Sequence, residues 1–171
     1  MNIKPSTYKA IYRLLDRVSP LDTDCGLLCD AACCMEGSGE DTGIFLLPGE
    51  EAIHNKEDWA IWEEDDAAEY NYPDSWDRLF FVKCKGPKGC NRALRPIQCR
   101  SFPLLPHIKP DGELTLVYND VDLPYGCPLI DDEIPLNDDF VQATLTVWKH
   151  LIRDQRIYDL VLEDSLDRGN E

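Results

Sequence analysis

The sequence predicts a small α+β domain, with helices at both ends, two or three short strands between them, and proline-rich loops around a cysteine-liganded metal site. Three observations carry this expectation. Apolar residues recur at helical spacing near both termini. Short apolar runs such as Leu79-Phe-Phe-Val82 and Leu114 to Tyr118 read as strands. The middle of the chain holds all eight cysteines and most of the prolines. At 171 residues the chain is expected to form one domain, residues 1–171, with a cysteine-rich region at 25–130 and C-terminal helices at 137–167.

The elements follow in order. Residues 5–18 read as a helix, with Pro5 in a first-turn position and Ile11, Leu14, Leu15 and Val18 on one face. The cysteine cluster and a Gly37-Ser-Gly39 loop come next. Ile44 to Leu47 is a strand candidate. Pro48-Gly49-Glu50-Glu51 is expected to open a second helix that runs to about Asp66, with Ile53, Trp59 and Trp62 on its buried side and the Glu63-Glu-Asp-Asp66 run in solvent. Tyr70 to Asp77 is an aromatic loop, and Leu79 to Val82 is a strand that delivers Cys84. The glycines and prolines of residues 85–112 predict an ordered loop, held by a bound metal. Pro110-Asp-Gly112 turns into the strand Leu114–Tyr118. Asp120 to Pro128 is loop and carries Cys127. Asp138 to Ile152 reads as a third long helix with Phe140, Leu145, Trp148 and Ile152 as its stripe. Residues 155–166 form a fourth helix or continue the third, and Gly169-Asn-Glu171 is a frayed end.

Charge and composition narrow the function. The net charge of -16 argues against nucleic acid, whose backbone is bound by Lys and Arg, and against an anionic membrane surface. No apolar h-region follows Met1-Asn-Ile-Lys-Pro-Ser-Thr-Tyr, and no apolar run is long enough to span a bilayer. A cytoplasmic location follows as the expectation, and there thiols stay reduced. Eight cysteines in such a compartment read as metal ligands or redox thiols before disulfides.

The cysteines fall into two groups. Cys25, Cys29, Cys33 and Cys34 lie within ten residues; Cys84, Cys90, Cys99 and Cys127 are spread out. A tetrahedral zinc site needs sulfurs about 3.8 Å apart. Cys-x3-Cys on a helix puts Cβ atoms about 5–6 Å apart, a spacing better suited to an iron–sulfur cube. A continuous helix would hold Cys25 and Cys33 about 12 Å apart, too far to share one ion. Either the stretch is not helical throughout, or only two of its cysteines serve one site. Cys33 and Cys34 should point apart, one ligating and the other packing or serving a second site. Cys127-Pro128 matches the pattern that closes ferredoxin cluster motifs. From Lys83 to Arg100 there are six basic residues (Lys83, Lys85, Lys88, Arg92, Arg95, Arg100) and no acid. Such cations would offset the negative charge of a metal bound to four thiolates; the same run would also serve as a surface basic loop or as a dock for an anion.

Leu94-Arg95-Pro96-Ile97-Gln98-Cys99-Arg100-Ser101-Phe102-Pro103, after a cluster ending in Cys33-Cys34, resembles the zinc- or iron-chelating CxxCxxCC family, whose members are often described as iron–sulfur-cluster-containing proteins. Ile44 to Glu50, the positions of Cys84 and Cys90, and Gly126-Cys127-Pro128 are similar to further parts of that family, so the resemblance spans about residues 25 to 130. It implies an iron–sulfur cluster, [4Fe–4S] by preference, or zinc. The chain departs from the family where both gaps in its first cluster are three residues rather than two, which takes Cys25 and Cys29 out of register.

Other candidates are sparser. His54, His107 and His150 have no pairing spacing, although His107, eight residues after Cys99, is a further ligand candidate. Asp120, Asp122, Asp131 and Asp132 are candidates for a hard cation. Arg92, Arg95 and Arg100 are candidates to bind an anion, Arg95 and Arg100 to hold an anionic cofactor or substrate, while at least one of the three is expected to pair with carboxylates inside the fold instead. The expectation is a cytosolic metal-binding protein with a possible redox role and an unidentified protein or small-molecule partner. The alternatives are an enzyme that uses the metal or a free thiol on an anionic substrate, and a non-catalytic interaction module with structural zinc.

Overall fold

The computed structural model describes residues 1–35, 43–121 and 123–169. The expected Gly37-Ser-Gly39 loop, Asp122 and the last two residues of the frayed end lie outside the described residues. The architecture is α+β. Helix α1 spans Pro5–Leu15 with proline in its first turn, where a missing N–H costs nothing. Its buried face is Tyr8, Ile11, Tyr12 and Leu15, while Leu14 is exposed. Strands β1 (Gly43–Phe45), β2 (Ile61–Asp66) and β3 (Arg78–Lys83) form an antiparallel sheet in the order β1-β3-β2. The central strand β3 buries Leu79 and Val82, and Val82 faces Ile44 on one side and Trp62 on the other. Gly43 is required by close approach, because a Cβ there would stand 2.5 Å from the Phe81 ring and from the Val82 carbonyl.

The helix expected over residues 48–66 is not formed. Two single 3-10 turns, Glu50–Ile53 and Lys56–Asp58, lead instead into β2. Asn55 and Asp58 cap the second turn reciprocally, and the chain leaves it extended at Trp59. The pairing of six residues of β2 with β3 outweighs the local helical pattern of Trp59 and Trp62. The acidic run does stay on the surface, along a strand bonded on one side only, where like charge disfavours pairing with another chain.

Beyond β3 the chain makes α2 (Gly86–Gly89), a 3-10 turn Arg92–Leu94 and α3 (Ile97–Ser101). The Phe102–Pro103 peptide is cis. Strands β4 (Leu104–Ile108) and β5 (Leu114–Tyr118) form a separate hairpin, with Gly112 at φ 84 in its turn. β4 falls where loop was expected. Pro106 is tolerated in it because β4 is bonded along one edge only. After α4 (Pro128–Asp131) come α5 (Asp138–Leu151) and α6 (Gln155–Arg168), close to the expected bounds. Asp154 separates these two by capping α6, its carboxylate accepting the Arg156 N–H.

The helices α5 and α6 cover the β4–β5 hairpin, and α1 packs on α5 and on the Glu50–Ile53 turn. The shared core includes Tyr8, Leu15, Leu79, Ile97, Trp148, Leu151, Ile157 and Val161. Asp154, 1% exposed, also ties the N-terminus to this layer by accepting the Ile3 N–H at 3.2 Å. Burial pushes its carboxyl up, but the hydrogen bonds and charge of Arg156 more than offset this and hold it low.

Candidate metal centre

The first cysteine arm is broken by design of its backbone. Asp24 accepts the Gly26 N–H and caps a 3-10 turn over Cys25–Leu28. Asp30 and Ala31 then take left-handed conformations at φ 51 and φ 55, where a side chain is strained. A second 3-10 turn, Ala32–Cys34, follows. Of the two possibilities left open by the spacing, the stretch is therefore not helical throughout. The reversal lets Ala31 N–H reach the Gly26 carbonyl at 2.9 Å and folds the arm back on itself.

The expected divergence of Cys33 and Cys34 is not what the fold does. Their sulfurs stand 3.7 Å apart. The expectation considered only the directions of adjacent Cβ atoms; rotation about Cα–Cβ lets two neighbouring sulfurs meet. The contact between the two sulfurs, in which either can donate, lowers the Cys34 pKa and raises that of Cys33. The charges of Arg95 and Arg92 support the Cys34 thiolate further, while burial opposes it.

The second group arrives from three directions. Cys84 directly follows β3, Cys90 directly follows α2, and α3 carries Cys99. Cys127 begins α4, where its N–H meets the Asp131 carboxylate at 2.8 Å and its carbonyl accepts the Ile130 and Asp131 amides. All eight cysteines are free, Cys33 is exposed, Cys127 is buried, and the others lie between. The two arms are neighbours. Burial raises Cys25, and Cys29 and Cys127 add to the rise. Burial likewise raises Cys84, with help from Cys34 and Cys90, and Cys99, with help from Cys84 and Cys34. Arg92 also forms an ion pair with Asp24, joining the start of one arm to the other.

Arg95 and Arg100 occupy different positions in this arrangement. Arg95 Nε donates to Cys90 Sγ at 3.3 Å, and its charge lowers Cys25, Cys34, Cys84 and Cys99. Arg100 was expected to be available to an anion. Its side chain is instead 6% exposed and bonded to the carbonyls of Arg95, Arg92 and Ala93 and to Asp16, with its guanidinium 4.3 Å above the Tyr12 ring. It holds the loop between Cys90 and Cys99 against α1.

Sequence reasoning missed a buried polar cluster beside Cys99. Glu50 is fully buried and binds three segments: Oε1 accepts the Tyr12 hydroxyl at 2.5 Å and the Ile97 N–H at 2.8 Å, and Oε2 accepts the Leu47 N–H at 2.9 Å. Burial raises its pKa, against the pull of those donors and Arg100. Because Tyr12 donates to Glu50, His54 Nε2 carries the proton that Tyr12 accepts at 2.8 Å, and buried His54 Nδ1 has no partner among the described residues. Burial holds His54 neutral, with its pKa lowered to about 4. Glu50 was expected to be a first-turn helix acid. Its position after Leu46-Leu47-Pro48-Gly49 was the available signal of an acid turned inward; in the fold Gly49 takes φ 93.

The remaining candidates lie elsewhere or have other partners. His107 sits in β4 opposite Thr115, and His150 lies on α5. Asp120 pairs with Arg168, Asp131 caps α4, and Asp132 is exposed. Among the described residues no three His, Cys, Asp or Glu side chains stand close enough together to hold a metal ion. No helix among them is long and apolar enough to cross a membrane. No family model, no curated protein and no solved structure matches the chain.

Proposed function

We propose that the chain is a metal-binding protein of a reducing compartment, whose cysteine thiolates hold an iron–sulfur cluster or zinc where the two cysteine arms meet. The observation that carries this reading is that cysteines of both arms, Cys25 and Cys34 from the first and Cys84, Cys90 and Cys99 from the second, lie within reach of the Arg95 charge, Cys90 through a direct hydrogen bond. The donor set is chemically suited to such a group, since soft thiolates select zinc and iron–sulfur clusters over hard cations. Four thiolates on a zinc ion leave a net negative charge, and a guanidinium already bonded to a cysteine sulfur would offset it. With a cluster the protein would carry electrons or support a redox step; with zinc the site would be structural. The commitment of Arg100 to backbone carbonyls leaves Arg95 as the cation closest to this chemistry.

Anaerobic purification followed by metal analysis tests the reading. A brown protein with iron and acid-labile sulfide in equal amounts is expected for a cluster, and a colourless one with stoichiometric zinc for the structural alternative. A chain that carries neither metal would sink the proposal.

A further inference from the structure

We infer that Cys33 and Cys34 form the loading position of this centre, an accessible dithiol on which a soft metal ion docks before the buried sulfurs close around it. The inference rests on the metal-binding reading and adds an order of events to it. Its first support is geometric. Two metal–sulfur bonds of about 2.3 Å to sulfurs 3.7 Å apart subtend about 107°, close to the tetrahedral angle. An ion with bent two-thiolate coordination therefore sits on this pair without moving either sulfur. A linear two-thiolate ion would need sulfurs separated by twice the bond length, and the pair does not offer that.

The second support is exposure. Cys33 alone among the eight cysteines is exposed, whereas Cys127 is buried. Neither 3-10 turn of the first arm contributes a buried residue, and Leu27, Leu28 and Met35 beside the cysteines are exposed as well. Incoming metal therefore meets this arm before it meets Cys127. The third support is that no three ligands are preassembled among the described residues. The pair offers two sulfurs at bonding geometry, and the other sulfurs must shift to complete the shell. In the docking step whatever protons the two sulfurs still hold pass to solvent as two metal–sulfur bonds form, with no change of oxidation state.

Two measurements on the reduced, metal-free full chain decide the matter. The first is titration with phenylarsine oxide, which condenses with two close thiols to give a cyclic dithioarsenite and one water. The expected result is one tightly held equivalent in the wild type and its loss in both Cys33→Ser and Cys34→Ser. Undiminished arsenical binding in either variant would overturn the inference. This titration needs no resident metal, so it judges the pair even if the metal-binding reading fails. The second is stopped-flow uptake of zinc chloride. Cys33→Ser should slow the initial phase about tenfold, whereas Cys127→Ser should act on the amount finally retained. Equal slowing of the initial phase by the two variants would refute an ordered loading that begins at Cys33 and Cys34. Cys33 is exposed, so its serine variant tests the chemistry with little risk to the fold.

Discussion

The helical layer and the cysteine-bearing segments are built on opposite principles. In the helical layer α1, α5 and α6 each bury an apolar face, and Tyr8, Phe140, Leu151 and Ile157 are almost wholly enclosed. Removing such side chains from water contributes about 1.5–3 kcal/mol apiece. The first cysteine arm buries none of the residues in its two turns, and no cysteine belongs to the core cluster. Its bonds among the described residues include one Asp cap, short-range amide contacts and an exposed ion pair to Arg92 of the second arm, each of small value. The layer is held by its own burial, whereas the first cysteine arm has no buried face of its own and, on the proposed reading, would gain its largest stabilisation from a bound metal.

The largest effect that would break this contrast is on metal. Cys99→Ser and Cys127→Ser should each abolish metal retention after desalting, while the urea midpoint of the metal-free chain changes little. Hydrogen exchange should show faster exchange at residues 24–34 and 84–100 on metal removal, with α5 still protected. Retention unchanged in both variants would remove these two cysteines from the site. Next comes the core: Leu151→Ala should cost about 2–5 kcal/mol in urea unfolding. A smaller loss would mean that the helical layer is less tightly packed than its burial implies.

Glu50→Gln probes the seam between the regions, because Glu50 holds α1, the turn after β1 and the helix that carries Cys99. An amide turns one acceptor into a donor facing another N–H, which should cost about 1–3 kcal/mol in urea unfolding. It should also weaken metal retention. If stability falls and retention does not, the two regions are independent.

His54 supplies a pH test. Its pKa is about 4 in the fold against 6.5 for the free side chain, so the unfolded chain takes up a proton first as pH falls. The stability it contributes is present above pH 6.5 and is lost between 6.5 and 4, by up to about 3 kcal/mol. Glu50 acts with the opposite sign, since a raised carboxyl loses stability as pH rises above its unfolded value. Comparing His54→Gln with the wild type isolates the histidine: the variant should lose less stability between those pH values. An unchanged slope would show that His54 is not held neutral. The smallest effect is expected for Arg92→Ala, whose partly exposed pair with Asp24 should be worth less than about 0.5 kcal/mol and be screened by salt.

Much of the fold could be read from local pattern. Helix α1, the C-terminal pair, β3 and β5 all follow from period and end signals that lie within a few residues of one another. β2 and β4 did not, because Trp62 and Pro106 take their conformations from strands that pair with them across the sequence. In the candidate site the cysteines and the basic run around them were legible as residue types. The contrast between Arg95 and Arg100 was not: five residues apart and alike in sequence, one reaches a sulfur while the other is bound by three carbonyls. Glu50 was equally hidden, since its partners Tyr12 and Ile97 are distant in the chain.

The sequence by itself determined the helices with their own apolar stripes, the α+β class, and the presence of eight thiols beside a positively charged run. Only the tertiary structure decided which side chains meet. It turned an acidic helix candidate into an edge strand, buried Glu50 under three donors, and set the Arg100 guanidinium over the Tyr12 ring. Periodicity and charge are properties of neighbouring residues. Burial and pairing depend on where distant segments come to lie.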